Sequence, residues 1–400
     1  MSERCCPACR ADTVALADWP FGGLGESVFN YVAAFRHCTQ CGLVYVANID
    51  DARLARFYHE ECAYHTSAHF AVDRPENIAK ARRYLDFIAK LRPGFTEVTD
   101  IGCGRGGFLR LARRSHPGVR VLGIDIAPGD PEARAEAVMF AAATSAVLPL
   151  ANDSQSLLTC FHVLEHLRVL DSTLEELARV LQPGGLLVIE VPDAERYAET
   201  PIGPAYWLAI REHVQHITPC ALTLALARHG LHVEHLERGV LPTPEFRYAS
   251  LLLAARKAEA GEDAVKPGRC VGCVDYLQAS ARALECQAEW VAALRARHGG
   301  LTFWGCSAEL LSLLPRLDTD VDRLCDANPL KQRQGYRGRV VYAPELLAPR
   351  GALVIAPYLY AVEIRRAAVA LGWRPEQIFE LGAVDTPMMD VATPASIECE

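Results

Sequence analysis

The chain has 400 residues, half of them hydrophobic and 22% charged, with a formal net charge of −8. This is a globular composition on a chain too long for one ordinary core, so two or three domains are expected. The acidic balance argues against a generic nucleic-acid or anionic-membrane surface, and no apolar run reaches the ~18 residues that a membrane span needs.

The first residues, Met1-Ser-Glu-Arg-Cys-Cys-Pro, contain no apolar signal core, which gives a cytoplasmic location as the expectation. Thiols are mostly reduced there, so the fifteen cysteines point to metal binding or burial rather than to a disulfide framework. Cys6-Pro-Ala-Cys9 and Cys38-Thr-Gln-Cys41 are two Cys-x2-Cys pairs. Each pair can chelate one face of a tetrahedral zinc, and four thiolates close the site, so a structural rather than catalytic metal is expected. Gly42 follows the second pair, where a knuckle turn favours a residue tolerant of positive φ. Cys5 is a spare thiol with the poorer spacing. Cys270-Val-Gly-Cys273 has no second pair nearby and reads as incidental.

From about Pro75 the pattern alternates between helix and strand, as in a parallel sheet covered on both faces. Ile78 to Leu91 reads as an amphipathic helix, Glu97 to Ile101 as a strand, and Phe108 to Arg114 as the next helix. Between them Gly102, Gly104, Gly106 and Gly107 supply a turn in which backbone can approach a ligand closely. Val119 to Asp125 is a further strand, ending in an acid able to accept two ribose hydroxyls.

Asp100 precedes the turn in an Asp-x-Gly-x-Gly-x-Gly arrangement, which resembles class I methyltransferases. The resemblance extends through Leu148-Pro149-Leu150, the Ser156 to His166 stretch and the Leu177 to Glu190 segment around Pro183-Gly-Gly. It covers residues 97 to 192 in the family's order and implies S-adenosylmethionine (SAM) as cofactor. Asp100, Gly102, Gly104, Gly106, Asp125, Ile126, Thr144 and His162 are then the expected cofactor residues. Thr144 stands where many relatives carry an acid beside adenine. His162 either lines the methionine end of the cofactor or caps a helix. Glu165 and His166 are expected to hold helix and loop together.

Beyond the fifth strand, Glu212, His213 and His216 form a polar group among apolar neighbours. His213 is the candidate general base, with a pKa normally near working pH, and Glu212 its partner. One of these histidines could instead cap the helix that Thr218-Pro219 begins. The order of zinc knuckle, methyltransferase core, Glu-His segment and further nucleotide-type domain resembles the sugar C-methyltransferases, which methylate beside the ketone of nucleotide-linked 4-keto-deoxysugars. That resemblance implies that His213 removes the proton alpha to the ketone. The family's Tyr-x-Glu-His motif has Ile210 at its tyrosine position here, a departure that removes a hydrogen-bond donor to an enolate. The Phe57 to Ser67 segment resembles the family's tyrosine-rich linker, with Tyr64 as the candidate contact and Tyr58 expected to be packed.

Leu231 to Glu237 and Arg247 to Ala255 read as two closing strands, residues 258–268 as a linker and Tyr276 to Arg297 as a long helix. A second, smaller Rossmann-like unit follows without a complete Gly-x-Gly-x-x-Gly. By resemblance Tyr358, Tyr360 and Lys331 could contact substrate, although ordinary turn and surface roles are the expectation. The expected architecture is therefore α/β, with a zinc knuckle and linker (1–74), a methyltransferase domain (75–257) and a C-terminal Rossmann-like domain (258–400). The expected partner is a small molecule, a nucleotide-linked sugar foremost, with no nucleic acid or membrane, on a monomer or weak homo-oligomer. An O- or N-methyltransferase, or a non-catalytic zinc-containing scaffold, are the competing expectations.

Overall fold

The computed structural model describes residues 5–62, 72–129, 131–199, 203, 205–243, 246–257, 272–317 and 321–383. The expectations for Tyr64, Cys270 and the 258–268 linker lie outside these residues. The chain divides into two compact units, one of residues 1–19, 32–200 and 211–274, the other of residues 20–31, 201–210 and 275–400.

The first unit opens with β1 (Thr13–Pro20), β2 (Val32–Cys38) and β3 (Val44–Val46). It continues with β4 (Glu97–Ile101), β5 (Arg120–Asp125), β6 (Met139–Ala142), β7 (Gln155–Phe161) and β8 (Leu181–Pro192). Last come β9 (Gln215–His216), β10 (Leu231–Pro242) and β11 (Arg247–Lys257). Seven of these form one sheet in the order β10-β11-β8-β7-β4-β5-β6. The strands from β8 to β6 are parallel, whereas β11 runs antiparallel to β8 and β10 antiparallel to β11.

Side-chain alternation gives this sheet two buried faces. Val98, Val121, Leu186, Val188 and Leu252 pack with the helices Pro75–Leu91 and Gly107–Ser115. Ile101, Ile124, Leu187, Ile189 and Leu251 pack with Leu170–Val180 and Pro219–Ala227. Each buried leucine or isoleucine is worth roughly 1.5–3 kcal/mol, so a one-residue slip of β8 would exchange its two apolar faces. Pro183-Gly-Gly, expected as a turn before the strand, lies within β8. The pairing passes from Gln155↔Leu181 to Leu157↔Leu186, leaving the Pro-Gly-Gly residues in a register shift of the β7–β8 ladder.

Strand order reverses between β4 and β7, which opens a crevice at the strands' carboxyl ends. A separate four-stranded sheet, β1-β2-β3-β9, carries the N-terminal cysteines.

The second unit holds β12 (Leu301–Trp304), β13 (Arg323–Cys325), β14 (Val341–Tyr342), β15 (Ala352–Ile355) and β16 (Ile378–Glu380). They form a parallel sheet in the order β14-β13-β12-β15-β16. The long helix Val274–His298 buries Leu277, Leu284 and Val291. No described helix is long and apolar enough to cross a membrane.

Candidate cofactor and active site

The glycine turn leaves β4 at the reversal point. Gly102, Gly104 and Gly106 have φ of +75°, +51° and +81°, a region that side-chain-bearing residues enter at a cost. A Cβ on Gly102 would stand 2.1 Å from Val163 Cγ2, so space as well as φ requires glycine there. Asp125 at the tip of β5 braces the turn. Its Oδ2 accepts from Gly104 N at 2.9 Å and its Oδ1 from Ala127 N at 3.0 Å. Each oxygen keeps a lone pair for a ligand. Beyond the same strand ends Ile126 is 57% exposed, and Thr144 is exposed too. Asp100 lies beneath, 4% exposed, accepting from Thr159 Oγ1 at 2.7 Å. Burial, with the neighbouring Asp125 charge, pushes its carboxyl up to about 7.

A family model described as a methyltransferase domain matches residues 72–236. The chain is similar to a demethylmenaquinone methyltransferase of Thermus thermophilus, 28% identical over 183 residues, which are 43% of this chain and 79% of that protein. It is also similar to a trans-aconitate 2-methyltransferase of Methylobacterium nodulans, 36% identical over 99 residues. That match spans 24% of this chain and 38% of that protein. Among solved structures, an S-adenosylmethionine-dependent methyltransferase from Mesorhizobium loti has a TM-score of 0.36 and 22% identity, with 45% of this chain and 99% of that one covered. The chain carries a class I SAM-dependent methyltransferase domain.

The methyltransferase residues fit that cofactor. A half-buried carboxylate pinned by backbone N–H groups suits a ribose diol, and the exposed Ile126 offers an apolar surface to a flat base. The glycines let the cofactor's chain lie against backbone.

The sequence treated Glu165 and His166 as helix-and-loop fasteners. They also lie in a polar cluster of the methyltransferase domain. One ligand atom each from Glu165, His166 and His213 lie within 4.8 Å of one another. The His166 and His213 rings meet edge to face, centroids 4.6 Å apart, and Tyr58 meets His166 the same way at 6.2 Å. Glu165 Oε2, His166 Nδ1 and His213 Nδ1 are buried without hydrogen-bond partners. Burial, followed by the nearby imidazoles, holds His213 well below the usual histidine range. Glu212, expected to partner His213, is half-buried and makes no hydrogen bond to it among the described residues. His216 is packed away in the four-stranded sheet, with its Nδ1 3.2 Å from Tyr197 Oη. Burial pulls it down to about 4.

Tyr58, expected to be packed, is half-buried in the wide helical turn Phe57–Glu61. Burial raises its phenol most, and the charges of Glu212, Glu165 and Asp125 raise it further. Its phenol therefore shares the electrostatic environment of the cofactor acid and of the histidine cluster.

His162 joins this cluster to the sheet. It takes φ of +56°, unusual for a residue with a side chain. Its Nδ1 lies 3.1 Å from Glu165 Oε1 and its Nε2 3.2 Å from Tyr248 Oη and 3.3 Å from Glu190 Oε2. Burial opposes charge on this imidazole, but the two carboxylates outweigh it and raise its pKa. Glu190, wholly buried, also binds Arg83 Nη1 and accepts from Tyr84 Oη. Tyr84 stacks on Phe161 at 3.9 Å. The Pro75–Leu91 helix brings Arg83, Tyr84 and the half-buried Lys80 to this place. Nothing in the sequence near those three residues marks them as a pattern.

The four expected metal residues come together. Cys6 Sγ and Cys41 Sγ are 3.6 Å apart, and Cys9 Sγ and Cys38 Sγ 3.4 Å. Four sulfurs at 2.3 Å from a tetrahedral zinc would be about 3.8 Å apart, so the geometry and the donor set are compatible with zinc.

In the second unit Lys331 Nζ donates to Asp326 Oδ2 at 3.0 Å, and Tyr358 Oη accepts from Gln287 Nε2 at 2.6 Å. Tyr360 is 46% exposed. Asp326 also accepts from the backbone N–H groups of Cys306 and Asn328, so it closes the β12 turn.

Proposed function

We propose that this methyltransferase moves the SAM methyl group to a carbon beside a ketone of a small molecule, a nucleotide-linked keto-deoxysugar being the leading class. His213 takes the proton from that carbon. The observation that carries the reading is the buried His213 Nδ1 without a partner, set among His166, Glu165 and Tyr58 in a domain that holds the cofactor acids. The bound sulfonium supplies the electrophilic methyl and needs no further activation. The protein's own contribution is to position the carbon acid, hold water out and accept its proton. Glu165, rather than Glu212, is the carboxylate grouped with His213, while Tyr58 supports the reading as a phenol that could compensate for Ile210. The four cysteines hold a structural zinc, since a closed four-sulfur site leaves no coordination position for substrate.

The test is incubation of the full chain with a nucleotide-linked 4-keto-deoxysugar in deuterated water. Deuterium should enter the carbon alpha to the ketone without SAM, and a carbon-bound methyl should appear with it. His213→Ala should lower turnover by about 10²–10⁴ while SAM affinity stays the same. A methyl found on oxygen or nitrogen, with no exchange, would overturn the carbon-acid reading.

A further inference from the structure

Three buried side-chain atoms without a hydrogen-bond partner, close together, are an expensive arrangement. A buried acceptor left unsatisfied costs about 1–3 kcal/mol, and a carboxylate more. Glu165 Oε2, His166 Nδ1 and His213 Nδ1 are in this state together, with Glu165 only 1% exposed. Lys80 lies within electrostatic reach of Glu165 but forms no hydrogen bond to it among the described residues. Among the described residues, His162 bonds the other oxygen of Glu165, while Glu165 Oε2 and the two Nδ1 atoms take no hydrogen bond.

We infer that Glu165, His166 and His213 form a second metal site, separate from the four cysteines, for one divalent first-row ion such as Zn2+, Co2+ or Fe2+. Two imidazoles and one carboxylate are the donor set such ions take when positions are left open for an outside ligand. Hard Mg2+ or Ca2+ would ask for more oxygens. Donors 2.0–2.2 Å from a tetrahedral ion stand about 3.4 Å apart, so the 4.8 Å limit on the present spacing closes with small side-chain rotations. The elements supplying the donors are firmly held. Glu165 and His166 lie on the turn Leu164–His166 directly after β7, and His213 lies two residues before β9. Glu165 keeps its other oxygen on His162 Nδ1 at 3.1 Å, the outer hydrogen bond that orients a ligating carboxylate.

An ion there takes the imidazole lone pair that a proton would take. Metal occupancy and proton removal by His213 therefore exclude one another, and the ion acts as a reversible brake on the reaction proposed above. The metal site itself does not depend on that reading, because binding is measured without substrate.

The experiment uses the full chain with its cysteine site filled by one equivalent of Zn2+ and excess metal removed, then titrated with Co2+ under nitrogen. A further equivalent should bind with visible d–d absorption and without the thiolate charge-transfer band that exchange at the cysteines would produce. In the wild-type protein, paramagnetically shifted N–H resonances from two imidazoles should appear, a check that needs no variant. His166→Ala and Glu165→Gln should each weaken this binding by at least about 10-fold, while calorimetry with SAM confirms that they fold. No second equivalent, no shifted imidazole signals, or unchanged Co2+ affinity in both folded variants would overturn the site. Deuterium exchange would then still decide the carbon-acid reading by itself.

Discussion

Asp100 and Asp125 are neighbouring carboxylates with opposite surroundings. Asp125 is half-buried and fed by two backbone N–H groups, so its loss is felt by the ligand rather than by the fold. Asp125→Ala should weaken SAM binding by about 10–100-fold in calorimetry, the worth of hydrogen bonds to a charged group, with the melting temperature nearly unchanged. Asp100 is buried beneath the turn and held up at about 7, chiefly by burial. The folded chain keeps this proton through a range, from about pH 4 to about pH 7, in which the unfolded chain has already lost it. The carboxyl therefore costs stability as the pH rises through that range. Asp100→Asn should flatten this loss, gaining on the order of 1–3 kcal/mol at pH 8 relative to pH 5 in urea unfolding without SAM. An identical pH slope in both proteins would show that Asp100 is not the group responsible.

Elements with strong local signals were legible from the chain. Glu97–Ile101 reads as a short strand ending at glycines, and it forms β4 over those same residues. The Cys-x2-Cys spacing likewise brought four sulfurs together. The histidine cluster was not legible, because Glu165-His166 and His213 belong to segments far apart in sequence, joined only by the sheet. The Pro183-Gly-Gly residues read as a turn, but pairing to β7 on both sides draws them into β8. At Gly102, alanine would combine a positive φ with a contact against the short, stiff Val163 side chain. Gly102→Ala should cost about 2–4 kcal/mol in chemical unfolding and abolish SAM binding together with the turn. The small sheet offers a different test. Val46 N bonds Val214 O at 2.9 Å and β3 pairs with β9, so the cysteine module holds the segment directly after His213. Cys38→Ser or chelation should speed hydrogen exchange at residues 214–216, read by mass spectrometry, before the seven-stranded sheet responds. Unchanged protection there would separate the metal from that segment.

For the whole molecule, the chain crosses repeatedly between its two units. Residues 20–31 and 201–210 belong to the unit made mostly by residues 275–400. Within it, Gly22 N bonds Leu311 O at 3.1 Å, Gly25 N bonds Gly335 O at 2.9 Å, and Trp207 N takes Tyr276 Oη at 3.2 Å. Phe29 and Trp207 are buried there to within 2% of complete. A truncated chain ending at Val274 would leave these segments without their core, and it should bind a hydrophobic dye strongly and aggregate below the full chain's melting temperature. A monomeric fragment with an unchanged melting temperature and no dye binding would show that the second unit is dispensable. The sequence made this unit's alternating strands legible but not its interleaving, since a short excursion such as residues 20–31 carries no periodicity long enough to read.

The pairing of β3 with β9 also sets an order of events during synthesis. Cys6, Cys9, Cys38 and Cys41 are translated before β4 to β8, so the four thiols exist before the parallel sheet can form. Their sheet nevertheless lacks its last strand until residues 215–216 emerge, after β4 to β8 have been translated. The cysteine module therefore begins first and finishes late, closing a long loop around the nascent parallel sheet, a non-local step of the kind that slows folding. A ribosome-bound chain arrested before β9 would hold all four cysteines and still have an open edge on β3.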